Sequence, residues 1–310
     1  MGRIAIIDLG TNTFHLLVAD EHEGSYRIVH RDRLSVMIGM GGINRGLITK
    51  DAIQRALLAL QSFRNTIDKM GVERIYAYGT SALRNAANRH EVTDMIASLT
   101  GIEINLISGD NEAEFIYQGV RSALHLGRDK SLIIDIGGGS VEFILADNNR
   151  IYWKESIEIG AQRLLEKFQR HDPILSEEVE ALDIFFEEKL ASLNAAIEKY
   201  SPTVLVGSSG TFDTLSDIFC EAHAIYKGPD EIETPLTLEG FFGIYNDLLT
   251  KNREQRMLIP GMIEMRVDMI VVACCLIRYI LESHSFDRIR VSTYSLKEGV
   301  LASMNKAVTV

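Results

Sequence analysis

The stretch AIIDLGTNTFHLLVAD (residues 5–20) and the stretch LIIDIGGGSVEFILAD (residues 132–147) share one pattern. Aligned without a gap at an offset of 127 positions, they are identical at six of sixteen positions, and most of the other pairs are similar. Each copy has an apolar run, then Asp-apolar-Gly with small or polar residues, then a second apolar run. This pattern predicts a buried strand, a tight turn and an antiparallel partner strand. The repetition indicates an internal duplication.

The similarity of the two halves continues downstream. RIYAYGTSALRNAAN (residues 74–88) and TVLVGSSGTFDTLSD (residues 203–217) each predict a strand, a Gly-Thr turn and a helix. A chain of 310 residues fits two domains. We place them at 1–126 and 127–310, because Gly127, Arg128 and Asp129 interrupt the pattern. The last helix could pack back on the first domain.

Helical segments alternate with these strands, which is typical of an α/β fold. Thr49 can cap a helix whose apolar residues recur at helical spacing, and Gly71 can end it. Further helices are predicted from Asn111 to Ala123, from Ser176 onward, and over residues 263–283, the last mostly buried. The strand RIRVS and the segment KEGVLASM then repeat the strand-to-helix turn.

The composition excludes several classes of protein. Lys and Arg total 32 against 43 Asp and Glu, and a net charge of -11 argues against non-specific binding to nucleic acid or anionic membranes. The longest apolar run, residues 269–277, is shorter than the roughly 20 residues of a membrane span. Of the three cysteines, Cys274 and Cys275 are adjacent, which fits core packing rather than disulfides or zinc. With no signal-peptide pattern, we expect a cytoplasmic protein.

Glycines and hydroxyl residues concentrate in the predicted turns. Without a Cβ, glycine lets backbone N–H groups converge on phosphate oxygens, and a following helix adds a favourable dipole. The candidate contacts at these turns are Thr11, Asn12, Thr13, Gly138, Ser140 and Thr211. One such loop could simply be a tight hairpin, but four loops at matched positions in two halves favour phosphate binding.

Carboxylates end the buried strands that lead into these turns. Asp8 and Asp135 could orient a hydrated Mg²⁺, or they could cap the N–H groups of their own turns. Glu142 lies two residues after Ser140, and the strand period of two places both on one face. If Ser140 faces the cleft, so does Glu142.

Two further residues could take part in chemistry. Glu112 lies near the first turn of a helix, where it could accept a proton from an attacking water or stabilise the helix N-terminus. Arg84, four residues after Thr80, could bind a phosphate with its planar guanidinium or form a surface ion pair.

Eight motifs, in this order, resemble those of the exopolyphosphatase and guanosine pentaphosphate phosphohydrolase (Ppx/GppA) family, within the actin, hexokinase and Hsp70-type ATPase superfamily. They are IDLGTNTFHLLV, YGTSALRNAAN, ISGDNEAEFIYQGV, IDIGGGSVEFIL, IGAQRL, VGSSGTFDTL, IPGMIEMRVDMI and SLKEGV. The resemblance runs over nearly the whole chain. It is to the short branch of the family, without the C-terminal HD-type domain.

The resemblance implies two ribonuclease-H-like domains that flank a cleft, and Mg²⁺-dependent release of terminal phosphate from polyphosphate, from pppGpp or from both. It implies that Glu112 is the water-activating base and that Glu142 is a second catalytic glutamate beside the metal-binding Asp135, with Asp8 a further candidate metal ligand. The implied phosphate contacts are Thr11, Asn12, Thr13, Arg84, Gly138, Ser140 and Thr211. A homodimer is also plausible by this resemblance.

Departures from the family pattern leave alternatives open. His15 stands where the family commonly has Arg, so a phosphate-binding charge is either lost or dependent on pH. A polyanion also needs a basic path, for which the candidates are Arg84, Arg89, Arg121, Arg163, Arg266 and Lys297.

We expect an exopolyphosphatase. A pppGpp phosphohydrolase, a sugar or acetate kinase, and a sensor of nucleotide or polyphosphate without turnover are the alternatives.

Overall fold

The computed structural model describes residues 2–22, 25–228 and 230–306. Residues 307–310 of the predicted second domain lie outside the described residues. The strands are β1 Arg3–Leu9, β2 Thr13–His22, β3 Ser25–Ser35, β4 Arg74–Gly79, β5 Ile104–Leu106, β6 Ser131–Ile136, β7 Val141–Ala146, β8 Ile151–Ile157, β9 Val204–Ser208, β10 Glu233–Thr234 and β11 Arg288–Ser292. The helices are α1 Lys50–Lys69, α2 Ser81–Arg84, α3 Arg89–Thr100, α4 Gly109–Ala123, α5 Ala161–Phe168, α6 Ser176–Lys189, α7 Ala191–Tyr200, α8 Ser209–Ala222, α9 Leu238–Thr250, α10 Arg253–Met257, α11 Ile270–Ser283 and α12 Leu296–Lys306.

The strands form two sheets of matching topology. The first sheet has the order β3-β2-β1-β4-β5, and the second has the order β10-β11-β9-β6-β7-β8. In both, an antiparallel three-strand meander is extended by parallel strands. The second sheet differs only by the short antiparallel edge strand β10. The internal duplication predicted from the sequence is therefore confirmed.

Several helix boundaries follow the predicted signals, and others do not. The hydroxyl of Thr49 accepts a hydrogen bond from the N–H of Ala52, and Gly71 follows α1 at φ 65°. The helix predicted over residues 263–283 begins only at Ile270, so its first part was wrong. Residues 258–269 instead form bends and turns, with Gly261 at φ 90°, a conformation that glycine tolerates and a helix does not. Similarly, α8 begins at Ser209, which places the second Gly-Thr pair inside the helix.

Helices α4 and α12 connect the two halves. A Cβ on Gly299 would lie 1.7 Å from the carbonyl oxygen of Phe115, and one on Gly119 would lie 2.1 Å from that of Ser295. Glycine at both positions therefore lets the two backbones cross in close contact. The core around this crossing contains apolar residues of both sheets, so α4 and α12 pack between them. This arrangement brings the first turn of α4 to the cleft.

Two further cores support the outer faces of the sheets. One packs the first sheet against α1 and α3, and the other packs the second sheet against the helices of the second half. Cys274 and Cys275 are fully buried in α11 as free thiols, as expected. Across residues 2–22, 25–228 and 230–306, no helix is both long enough and apolar enough to span a membrane.

Candidate active site

Each sheet carries a row of four paired residues at equivalent positions. In the first sheet the row is Tyr78, Asp8, His15 and Arg33, on β4, β1, β2 and β3. In the second sheet the row is Ser208, Asp135, Glu142 and Ser156, on β9, β6, β7 and β8. An aspartate holds the same place in both rows. Beyond it the first row has His15 and Arg33, and the second has Glu142 and Ser156, so the two walls of the cleft differ in chemistry.

The turns after β1 and β6 meet across the cleft. A Cβ on Gly139 would lie 2.4 Å from the Oγ of Ser81 and 2.6 Å from the Oγ1 of Thr11, and one on Gly138 would lie 2.8 Å from the Nδ2 of Asn12. The triple glycine is therefore needed for this close approach. Between the turns is a cavity of about 70 Å³, which can hold several water-sized groups.

Four carboxyl groups line this cavity, on Asp8, Glu112, Asp135 and Glu142. Burial raises the pKa of Asp8 to about 7, that of Asp135 to about 6 and that of Glu142 to about 7. Burial, together with the charge of Glu142, also raises the pKa of Glu112 well above its usual value. Because burial disfavours the charged form of each carboxyl group, a cation in the cavity would stabilise the carboxylates.

Serine hydroxyls orient two of these carboxylates. Ser140 and Ser156 both donate to the Oε1 of Glu142, each at 2.7 Å. Ser208 donates to the Oδ2 of Asp135 at 3.0 Å. The bond from Ser140 confirms that it shares a face with Glu142, as the strand period predicted.

Arg84 forms a largely buried ion pair with Glu112 and not a surface pair. Its Nη1 lies 2.7 Å from the Oε2 of Glu112, and the two side chains are 16% and 9% exposed. The same Nη1 donates to the carbonyl oxygen of Ile107 at 3.1 Å. The guanidinium favours the charged form of Glu112 and so opposes the rise of its pKa.

Other basic groups border the cavity. Arg266 lies against Gly210, where a Cβ would be 2.1 Å from its Nη2, and it forms no ion pair with any described residue. Its Nε is buried without a hydrogen-bond partner. Burial, followed by the charges of Lys297, Arg266 and Arg33, lowers the pKa of His15 well below its usual value. The imidazole is therefore neutral near neutral pH. At this position, where the family commonly has Arg, the positive charge is thus lost rather than dependent on pH.

The carboxylates of the cavity are suited to a magnesium ion whose remaining ligands would come from substrate and water. Within the described ranges, no three His, Cys, Asp or Glu side chains form a cluster that could cage a metal. Mg²⁺ is usually held by one or two carboxylates, with water and phosphate oxygens as its other ligands. Asp135 and Glu142 offer such oxygens, and the Oδ1 of Asn12 is a further buried acceptor without a partner.

A second cavity, of about 800 Å³, adjoins the first, and His15 lines both. Its basic residues are Arg27, Arg31, Arg33, Lys227 and Lys297, and its acidic residues are Asp32, Asp213, Asp230, Glu231 and Glu298. Arg33 makes no side-chain hydrogen bond or ion pair in the part of the chain that the structure describes. Of the predicted basic path, Arg266 and Lys297 border the cavities, whereas Arg89 and Arg121 line neither.

The structure brings together most of the residues proposed from the sequence. Those that line the smaller cavity are Asp8, Thr11, Asn12, Thr13, Glu112, Asp135, Gly138, Ser140 and Glu142. Arg84 reaches it through Glu112. Thr211 does not line the cavity but lies buried in the first turn of α8, where Ser209 lines the cavity instead.

The strand register corrects the alignment of the two Gly-Thr turns. Tyr78 pairs with Asp8, and Ser208 pairs with Asp135. Counting from these residues makes Ser81, rather than Thr80, the counterpart of Thr211. The serines that the structure adds to the site are Ser81, Ser209 and Ser295, which line the cavity, and Ser156 and Ser208, which bind its carboxylates. Of these, Ser208 is identified by the pairing of β9 with β6, strands that are distant in sequence.

Comparisons with known proteins agree with this geometry. A sequence model of the Ppx/GppA phosphatase family matches residues 17–308. A putative exopolyphosphatase of Haemophilus influenzae is 29% identical over 98% of this chain and 91% of its own length. A guanosine-5'-triphosphate,3'-diphosphate pyrophosphatase of Photobacterium profundum is 26% identical over 97% of this chain, which spans 59% of that longer protein.

A solved structure is more similar still. The crystal structure of an exopolyphosphatase from Cytophaga hutchinsonii has a TM-score of 0.96 and 42% sequence identity, covering 98% of both chains. Together with the two matching sheets, this similarity confirms the predicted fold, two α/β domains of the actin, hexokinase and Hsp70 type that flank a cleft.

Proposed function

Because this chain belongs to the Ppx/GppA phosphatase family, we propose that it is an exopolyphosphatase, which hydrolyses the terminal phosphate of inorganic polyphosphate. The proposal is carried by one observation. Glu112, Asp135 and Glu142 converge with two glycine-containing turns on a cavity of about 70 Å³. The Cytophaga and Haemophilus proteins, both named exopolyphosphatases, support polyphosphate as the substrate.

In this proposal Glu112 is the general base. A water oxygen attacks the terminal phosphorus, and its proton passes to the carboxylate of Glu112. The bond from phosphorus to the bridging oxygen breaks, and the shortened chain leaves with the electron pair. The raised pKa of Glu112 suits a base that works near neutral pH. Positioning and charge stabilisation supply the catalysis, so no covalent enzyme intermediate is needed.

Other residues hold the terminal phosphoryl group. The backbone N–H groups of residues 137–140 and the side chains of Thr11, Asn12 and Thr13 supply hydrogen-bond donors at the cavity. Arg266 supplies a cation that forms no ion pair with any described residue. Asp135 and Glu142, with Asp8, would hold Mg²⁺, which would neutralise phosphate charge and orient the oxygens.

The second cavity supplies a place for the rest of the substrate. A net charge of -11 repels a polyanion at long range, so the chain needs a local path of basic groups. The cavity of about 800 Å³ adjoins the smaller one at His15. Arg33 on its wall has no acidic partner among the described residues, and Arg31 contacts Glu298 at 3.8 Å and lies 5.8 Å from the ring centroid of Tyr294. These two arginines are therefore available to further phosphate groups.

One feature of the second cavity favours pppGpp as an alternative substrate. Tyr26 and Tyr294 line it together with Asp213 and Asp230. The Oδ1 of Asp213 is buried without a hydrogen-bond partner, so it could accept from the N–H groups of a purine base. The Photobacterium relative, whose name specifies a guanosine nucleotide, supports this second candidate.

Phosphate release measured side by side from long-chain polyphosphate, tripolyphosphate, pppGpp and ATP, with Mg²⁺, tests the proposal. Glu112→Gln serves as the blank, and Glu114→Gln, on the same helix but with a side chain 57% exposed, serves as the matched control. We expect release chiefly from polyphosphate, absent in the blank and normal in the control. Release from pppGpp alone would establish the alternative. Ligand binding without release from any substrate would indicate a sensor instead.

A further inference from the structure

Four side-chain donors converge on the carboxylate of Glu158, which lies between β8 and α5. Asn85 and Arg84 donate to Oε1 at 2.6 and 3.1 Å. Ser81 and Arg163 donate to Oε2 at 2.5 and 3.0 Å. Three of these donors belong to the first half of the chain and one to the second, so Glu158 joins the two walls of the cleft.

The contact with Arg84 leads directly to the proposed base. Nη2 of Arg84 binds Glu158, while Nη1 binds Glu112 at 2.7 Å and the carbonyl oxygen of Ile107. Because the guanidinium is planar and its donors are fixed relative to one another, holding Nη2 also fixes the direction of Nη1. Glu158 thus determines how Arg84 meets Glu112.

The contact with Arg163 leads to the phosphate-binding turn. The Nε of Arg163 donates to the carbonyl oxygen of Gly139 at 2.8 Å, and its Nη1 donates to that of Ile43, in the first half, at 2.8 Å. Arg163 is 16% exposed and pairs with Glu158 at 3.0 Å. Glu158 is therefore linked on one side to the base and on the other side to the triple glycine.

We propose that Glu158 is a positioning residue for hydrolysis: it acts through Arg84 to align Glu112 with the phosphate held at the triple-glycine turn. The inference rests on the proposed function. An ordinary exposed ion pair contributes little to stability. Glu158 differs from such a pair, because four donors from both walls bind its carboxylate. Two of these donors, Arg84 and Arg163, also bind Glu112 and the carbonyl oxygen of Gly139. A small misplacement of a reacting group can cost on the order of 100-fold in rate.

The test compares Glu158→Ala and Glu158→Gln with a matched control, Glu166→Gln. Glu166 also joins the two halves, through the N–H of Gly41 at 2.9 Å, but it does not touch Arg84. We expect Glu158→Ala to lower kcat for polyphosphate by roughly 10- to 100-fold with little change in KM. Glu158→Gln, which keeps an acceptor oxygen, should lose less. Glu166→Gln should keep its kcat, and unfolding midpoints identify any variant that fails to fold.

A double-mutant cycle identifies the route. If Glu158 acts through Arg84, Glu158→Ala should cause no further loss of kcat in an Arg84→Ala background. The same fold-loss in both backgrounds, or a normal kcat in folded Glu158→Ala, would overturn the inference. Wild-type protein and Glu112→Gln are assayed in the same series. If the wild type releases no phosphate, or Glu112→Gln is fully active, it is the proposed function that fails, and the inference with it.

Discussion

Glu142 lies directly opposite Asp135 in the β6–β7 pair, and both carboxyl groups line the cleft. In the duplicated pair of the first half, His15 lies opposite Asp8. The same backbone arrangement thus places two carboxylates on one wall of the cleft and one on the other. The wall with two carboxylates suits a cation, whereas the other wall places a neutral imidazole at the equivalent position.

The buried carboxylates should make stability depend on pH. Their pKa values are raised in the folded protein, to about 6 for Asp135 and about 7 for Glu142. Between about pH 4 and pH 7 the folded state therefore holds more protons than the unfolded state, and the free energy of unfolding falls as pH rises. For Glu142 the loss is on the order of 3 kcal/mol. Urea denaturation of wild type and Glu142→Gln at pH 5 and pH 8 should show a smaller loss in the variant.

The same experiment with Mg²⁺ tests the cation site. Because Mg²⁺ competes with protons for these oxygens, it should raise the unfolding midpoint of the wild type more at pH 8 than at pH 5. Asp135→Asn should reduce this gain. Glu264→Gln, with a side chain 82% exposed, serves as the control and should match the wild type in both respects. An equal effect of Mg²⁺ on wild type and Asp135→Asn would remove Asp135 from the cation site.

His15 should not be the origin of any pH dependence in activity. Burial and three neighbouring cations lower its pKa well below the usual value, so the ring stays neutral as pH rises through neutrality. The profile of kcat/KM against pH, measured above pH 6 for wild type and His15→Gln, should keep its shape even if its height changes. A limb of the profile that disappears in the variant would show that His15 does titrate there.

The duplicated pattern predicted the strands and the turns well because it depends on local chemistry. Apolar runs, Asp-apolar-Gly and glycine turns act within about ten residues, and the two copies reinforced each other. The wrong part of the helix predicted over residues 263–283 follows Gly261 and consists mostly of turns, from which Arg266 reaches the cavity. Apolar periodicity alone does not report such a redirection.

The residues missed at the site depend on contacts that are remote in sequence. Glu158 meets Ser81 and Arg84 across more than 70 positions, and its own motif contains no sign of them. The alignment of Thr80 with Thr211 differs by one residue from the register of β4 and β9, which is set by pairing with β1 and β6. Side-chain chemistry was therefore predictable where it follows a strand directly, and not where it depends on how the two halves meet.

Arg33 should affect long substrates more than short ones. It lines the larger cavity beside His15 and has no acidic partner among the described residues. If further phosphates lie there, Arg33→Ala should raise the KM for long-chain polyphosphate several-fold and change that for tripolyphosphate less. Arg64→Ala, which removes an arginine paired with Asp68 on α1, serves as the control. Equal effects of Arg33→Ala on both substrates would mean that the cavity does not hold the rest of the chain.

Gly139 should be essential for activity because of the space it leaves. A Cβ there would lie 2.4 Å from the Oγ of Ser81 and 2.6 Å from the Oγ1 of Thr11, so alanine would push the two walls of the cleft apart. The residue lies in the turn at the cavity and is buried. We expect Gly139→Ala to reduce kcat/KM by about 100-fold and to lower the unfolding midpoint as well. In the control, Gly243→Ala in α9, nothing lies within 4 Å of the added Cβ, and alanine should stabilise that helix by about 1 kcal/mol. Full activity of Gly139→Ala would show that the cleft does not need to close this tightly for turnover.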